Sequence, residues 1–237
     1  MELDLLIQET AKLGIVLTAV QLQQFAHYQA LLLAWNKQMN LTAIREPADI
    51  QLKHFLDSLT CASVMGDLAQ TQLLDVGTGA GFPGLPLKIL VPELHVTLVE
   101  SVAKKTRFLE VVVAELGLTG VEIIAERAEV LGQHAQHRER YDWVVARAVA
   151  ELRVLLEYLL PFCRVGGHVL AQKGENASAE IANAQNALAV LGAEEPHLHT
   201  APLPESLGPR FFVVVPKVAA TPALYPRRAG MPGKRPL

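Results

Sequence analysis

The run Leu-Leu-Asp-Val-Gly-Thr-Gly-Ala-Gly-Phe-Pro-Gly at residues 73–84 constrains the fold of this chain more than any other stretch. Leu73, Leu74 and Val76 build a buried strand. Gly77, Gly79 and Gly81 permit backbone angles that a side chain would forbid, and they let a ligand come close to the main chain. Pro83 suits the first turn of a helix, where its missing N–H costs nothing. A strand, a glycine turn and a helix in that order place a ligand at the carboxyl end of the strand, where open α/β sheets bind theirs.

Two cofactors compete for such a loop. Residues 79–84 match the dinucleotide pattern G-x-G-x-x-G, and Glu100 follows near the spacing of a ribose-binding acid. Asp75, two residues before Gly77, points the other way. A carboxylate there suits the ammonium group of S-adenosylmethionine and would repel a pyrophosphate. The loop therefore favours the methyl donor over the dinucleotide. A structural turn without a ligand is the third reading.

The chain has 237 residues, 51% apolar and 19% charged, enough for the core of one large domain or of one domain with an appendage. No apolar run approaches the roughly 20 residues that span a bilayer. The start, MELDLLIQET, is acidic and amphipathic and does not resemble a signal peptide. Two cysteines, Cys61 and Cys163, are too few for a disulfide framework or a zinc cluster. These features predict a cytoplasmic protein that binds no membrane. A net charge of −3 argues against a protein that coats nucleic acid, yet residues 217–237 hold Lys217, Arg227, Arg228, Lys234 and Arg235 and no acid.

Residues 1–70 read as helices, a cap on whatever follows. Leu3, Leu6, Ile7 and Leu13 form one stripe; Leu22, Phe25, Leu32 and Trp35 form a second, with Thr18 as its N-cap. A third helix follows Pro47, with His54, Asp57, Ser58 and Cys61 on one face. Residues 71–217 alternate instead: strands are expected at 72–77, 94–99, 121–125, 141–146 and 166–172, with helices at 84–91, 102–116, 127–135, 150–161 and 176–191. That alternation implies a mostly parallel sheet covered on both faces. Residues 193–200 and 211–216 read as two final strands without a helix between them. An antiparallel last strand fits a class I methyltransferase, a Rossmann-like α/β fold, better than a plain dinucleotide fold, by analogy. The Pro/Arg-rich tail, 218–237, is expected to form no helix and little core, either as a solvated end or as an arm on phosphate.

Glu100, with Ser101 beside it, ends the second strand and can accept hydrogen bonds from ribose hydroxyls. Ala128 and Glu129 follow the third strand, where an adenine ring is commonly read. Arg147 ends the fourth strand and needs a partner: Asp75, Glu100, the donor's carboxylate or an RNA phosphate. Lys173 ends the fifth and could meet a phosphate. The pairs His134/His137 and His197/His199 match metal spacings only loosely, with no cysteine near either, and no metal is expected.

Several stretches together resemble one family. They are NLTAIR at 40–45, HFLDSL at 54–59, the loop 75–84, KKTRFL at 104–109, ARA at 146–148, KG at 173–174 and YPRRAG at 225–230. In this order they resemble the RsmG family, also called glucose-inhibited division protein B, over roughly residues 20–237. The resemblance implies an S-adenosylmethionine-dependent enzyme that methylates N7 of one guanine in the decoding-region loop of 16S rRNA, leaving S-adenosylhomocysteine. It implies donor contacts at Gly77, Phe82, Ala128, Glu129 and Arg147; Phe82 stands where some members have leucine, and Ala128 where they have valine. N7 of neutral guanine bears a lone pair and no proton, so no general base is expected; Asp57 is a candidate to stabilise the cationic product. Arg45, Lys53 and His54 on the helical cap, and Lys104, Lys105 and Arg107 after the second strand, are expected to face RNA, with Lys173, Arg227 and Arg228. The partner is then 16S rRNA, the small subunit or its precursor, and no obligate protein partner is evident. A methyltransferase of another substrate and a non-catalytic RNA-binding module are the competing functions.

Overall fold

A computed structural model describes residues 3–147, 149–204 and 207–237; Ala148, part of the ARA motif, lies outside them. Its centre is a seven-stranded sheet in the order β3-β2-β1-β4-β5-β7-β6. The strands are β1 (Gln72–Val76), β2 (His95–Val99), β3 (Val121–Ile124), β4 (Tyr141–Arg147), β5 (Cys163–Lys173), β6 (His197–Thr200) and β7 (Phe211–Pro216). The first five run parallel. β7 lies antiparallel between β5 and β6, with Lys173 opposite Phe211 and Thr200 opposite Phe211 on its other side. Strand β6 is shorter than the sequence suggests: Ala193 makes only an isolated bridge to Lys217.

The central strands are buried on both faces, which explains their unbroken apolar runs. One face packs on the helices Gly84–Leu90 and Ala103–Glu115 and on the N-terminal helices, through Phe25, Phe55, Leu85, Phe108 and Leu98. The other packs on Leu152–Leu159 and on the helices Ala177–Asn183 and Gln185–Leu191, through Val144, Leu155, Leu188 and Val215. The last two replace the single helix predicted over 176–191, and the helix after β3 shrinks to Ala128–Leu131.

Three features of the N-terminal region bear on the site. Helix Ala19–Met39 starts at Thr18 with a reciprocal capping box to Gln21. Its Tyr28 is fully buried, stacks on Phe82 at 5.4 Å and donates its hydroxyl to Ala80 O. The helical cap thereby grips the glycine loop directly. The helix that begins at Pro47 then widens to a π-helix over Gln51–Leu56. There Asp57 N–H, which in an α-helix would serve Lys53 O, goes to Leu52 O and His54 O instead.

The tail departs from expectation. Met231–Lys234 is a short helix, and Pro226 and Pro232 are buried. Arg138 holds the segment by donating to Thr221 O, Pro222 O and Tyr225 O. The segment has no hydrophobic periodicity to mark a helix; its ties run to distant side chains, from Arg138 to its carbonyls and from its own Arg227 and Gly230 to Glu157 and Glu129.

Candidate active site

The glycine loop is built from its own acids. Asp75, at the centre of the sheet, is fully buried. Its Oδ2 accepts from Thr78 Oγ1 at 2.7 Å and from Gly84 N at 2.9 Å, pinning the loop to the start of the following helix. Burial outweighs these bonds and pushes its carboxyl up to about 6. Asp75 therefore braces the loop from beneath through Oδ2 and is not among the residues that line the cavity above, while its buried Oδ1 has no hydrogen-bond partner among the described residues. Glu100 is likewise a brace: Oε2 accepts from Gly79 N at 3.1 Å and Oε1 from Val102 N at 2.8 Å. Each oxygen keeps a second lone pair for a hydroxyl. Gly77 takes φ +68° and donates to Val99 O, and a Cβ there would stand 3.0 Å from Val149 Cγ2.

Above these braces lies a cavity of about 380 Å³ at the ends of β1, β2 and β3. Of the expected donor residues, Gly77, Ser101, Ala128 and Glu129 line it; Gly79, Gly81 and Phe82 shape the loop behind. Tyr158, Val154 and Gly233 line it as well, and sequence patterning offered no signal for them. The walls are apolar with acids at the edge, Glu126 and Glu129, and the one basic side chain, Arg127, is bound to Glu129 at 2.7 Å. The arginine and the Gly230 N–H hold Glu129 below the usual carboxylate range against the opposing effect of burial. Such a lining fits an uncharged adenosine carrying a sulfonium and rejects a pyrophosphate.

Beyond β4 the second cluster gathers around Arg147, which is paired with neither Asp75 nor Glu100. Its Nη1 donates to Asp57 Oδ2 at 2.8 Å and to Lys53 O at 3.0 Å, the carbonyl bypassed by Asp57 N–H in the π-turn. Its Nη2 reaches His54 Nδ1 at 3.0 Å, and its guanidinium lies 5.1 Å from the centre of the Phe82 ring. His54 stacks on that same ring at 4.4 Å. Gln172, beside Arg147 on β5, donates to Asp57 O at 3.1 Å. Of the face His54, Asp57, Ser58 and Cys61 read from the sequence, His54 and Asp57 meet Arg147, and Ser58 Oγ donates back to His54 O at 2.6 Å. His54, however, is buried and its imidazole is pushed down to about 3 by burial and by Arg147, so near neutral pH it offers no positive charge to a phosphate.

The other expected RNA contacts divide in the same way. Lys173 is held by Ala150 O and by Glu180 at 2.7 Å while it also lines the cavity beside Arg147, and Arg227 grips the fully buried Glu157 through Nη2 at 2.6 Å, so each already has an internal partner. Lys105 lies 3.8 Å from Glu100, and Lys53 pairs with Asp49 at the surface. Arg45, Lys104, Arg107 and Arg228 are exposed. A second cavity, about 500 Å³, opens beside Arg147; Lys53, His54, Asp57, Gln172 and Arg210 line it. Arg210, which sequence reasoning missed, is an exposed cation at its rim. Among the described residues no three His, Cys, Asp or Glu side chains gather to hold a metal ion, and no helix is long and apolar enough to cross a membrane.

A parallel sheet with an antiparallel β7 next to β5, and a donor-shaped cavity at the ends of β1 to β3, define a class I S-adenosylmethionine-dependent methyltransferase. Solved structures share this fold. An S-adenosylmethionine-dependent O-methyltransferase from Thermotoga maritima superimposes with a TM-score of 0.52 at 16% identity, over 79% of this chain and 71% of that one. A 16S rRNA (adenine(1408)-N(1))-methyltransferase from Catenulisporales acidiphilia gives 0.53 at 18%, over 65% and 87%. The particular family follows from sequence: residues 21–206 match the model of GidB, rRNA small subunit methyltransferase G, and the chain belongs to that family. Ribosomal RNA small subunit methyltransferase G of Roseiflexus castenholzii is 51% identical over 235 residues, 99% of this chain and 100% of the relative. That of Desulforamulus reducens is 45% identical over 237 residues, 100% and 99% of the two.

Proposed function

We propose that this chain transfers the methyl group of S-adenosylmethionine to N7 of a guanine in 16S rRNA, within the decoding-region loop, in the cytoplasm. The observation that carries the reading is a pair of cavities, one of donor character lined by Val149 and Ala150, the other lined by Arg147 and rimmed by cations. When bound, the donor supplies an electrophilic methyl group: the N7 lone pair forms the new bond, the carbon–sulfur pair stays on sulfur, and S-adenosylhomocysteine leaves.

The protein's own residues then have three tasks. Gly77, Ser101, Ala128 and Glu129 hold the donor against the sheet, with Glu100 behind the loop. The Arg147 cluster forms the floor between donor and base, and its rigidity supplies orientation. Asp57 places a carboxylate near the ring that becomes cationic, although Arg147 already compensates most of its charge. No residue accepts a proton, because N7 carries none. A paired base is hidden in a duplex, so the guanine must be unpaired or extruded to reach the second cavity. Lys53 and Arg210 at the cavity rim, and Arg45, Lys104, Lys105, Arg107 and Arg228 further out, would meet the phosphates. The helical cap, residues 1–70, serves as the RNA-facing unit. The test is methyl transfer from labelled donor to small-subunit RNA, offered both naked and within the subunit, followed by mapping of the modified base. Label on a base other than guanine, or none on RNA in either form, would overturn the reading.

A further inference from the structure

The tail reaches the donor cavity through Gly233 and Gly230, and a third contact, Arg227 on Glu157, fixes it beside the lining residue Tyr158. Gly233 lines the cavity, next to Tyr158. Gly230 N–H donates to Glu129 Oε1 at 2.9 Å, on the same oxygen that Arg127 engages. Arg227 closes a bidentate pair on Glu157, with Nε to Oε1 at 2.9 Å and Nη2 to Oε2 at 2.6 Å, while its backbone N–H also donates to Glu157 Oε1 at 2.8 Å. The Glu157 side chain is wholly buried, and Tyr158, next to it on the same helix, stands on the cavity wall. A bidentate pair on a buried carboxylate fixes geometry as well as charge.

We propose that residues 225–237 are a built wall of the donor site: the Arg227–Glu157 pair latches the tail, Gly230 positions Glu129, and Gly233 closes the cavity over the adenosine end of the donor. This rests on the reading of the cavity as the donor site. It gives the basic tail a role that its charge alone would not suggest. Arg227 and Gly230 act through Glu157 and Glu129 and are positioning residues; Gly233 sets the room left for the ligand.

Gly233 makes the proposal testable without unfolding the chain. Its φ is not in the left-handed region, and a Cβ built on it would meet only Tyr158 Oη, at 4.0 Å. Gly233→Leu should therefore leave the fold intact and fill cavity space. S-adenosylhomocysteine binding is measured by calorimetry on the full chain, with thermal unfolding in parallel, for Gly233→Leu, Gly77→Val and the double variant Arg227→Gln/Glu157→Gln, which loosens the latch without stranding a buried charge. The expected result is affinity at least tenfold weaker for Gly233→Leu with an unchanged unfolding midpoint, and several-fold weaker for the double variant. Normal affinity in Gly233→Leu, with binding abolished in Gly77→Val, would overturn the wall and keep the donor site. Normal affinity in both would overturn the donor site itself. Should Gly233→Leu lose its cooperative transition, the double variant decides: parent-like affinity there overturns the latch.

Discussion

Arg147 donates from Nη2 to Nδ1 of His54 at 3.0 Å, and a guanidinium has no lone pair to offer in return. His54 is therefore the neutral tautomer protonated at Nε2, which donates to Thr42 Oγ1 at 2.8 Å. A single imidazole thus ties the NLTAIR segment to the strand end that carries Arg147.

This pairing has a pH signature. In the folded chain His54 is pushed down to about 3 from 6.5, so between those values the unfolded chain binds a proton that the native one does not. Stability is full above the unfolded value and falls as pH drops through the window. Asp75 acts in the opposite sense: its folded value is raised from 3.8 to about 6, so the native chain holds the proton there and stability falls as pH rises. His54→Gln should remove the first dependence and keep the second. Urea unfolding of parent and variant from pH 4 to 7 should show a stability difference that grows with pH, with a slope approaching one proton. Parallel curves would refute the neutral assignment.

Arg147→Ala should destabilise the fold as well as lower activity. Asp57 has a side chain only 7% exposed, and its Oδ1 already lacks a partner, so losing the arginine strands a buried charge. A cost of about 3 kcal/mol is expected. The double variant Arg147→Ala/Asp57→Asn should recover most of the stability and none of the methyl transfer. If both proteins unfold alike, the pair is not the origin of the loss.

The sheet was legible because its signals are local. The LLDV, HVTLV and WVVA runs and the glycines between them fix strands and turns within a few residues of each other. The identity of Arg147's partner was not, because Asp57 lies 90 residues away and the choice among Asp57, Asp75 and Glu100 is made by packing. The bracing role of Asp75 was not legible for a related reason. A carboxylate two residues before a glycine turn looks the same in sequence whether it faces a ligand or the loop's own amides. Glu157 illustrates the limit most clearly. In sequence it is one acid within an apolar helix, and only the returning tail shows that Arg227 neutralises it. The exposed Lys104 and Arg107, by contrast, stand where their helical spacing put them.

Gly77→Val should abolish donor binding and cost modest stability. At φ +68° a β-branched residue is strained, and its Cβ would start 3.0 Å from Val149 Cγ2, at the mouth of the cavity. About 1–2 kcal/mol of destabilisation is expected from the backbone alone. Calorimetric titration with S-adenosylhomocysteine separates the two effects; retained affinity in a folded variant would remove Gly77 from the donor site.

Salt dependence distinguishes the cations that remain free from those the fold has consumed. Lys104, Arg107 and Arg228 are exposed, whereas Arg227 is locked on Glu157. If the free ones touch RNA phosphates, binding releases condensed counterions and affinity falls steeply with salt. Replacing Lys104, Arg107 and Arg228 with Ala should flatten the log–log slope by up to about one unit per lost contact. Arg227→Ala should leave the slope unchanged and instead destabilise the protein by about 3 kcal/mol, because Glu157 would be left buried and unpaired. Filter binding of small-subunit RNA across a salt series, with unfolding measured on the same preparations, provides both numbers. A slope change of about one unit in Arg227→Ala would return the tail to the RNA surface. A slope near zero in the parent would remove RNA from the reaction.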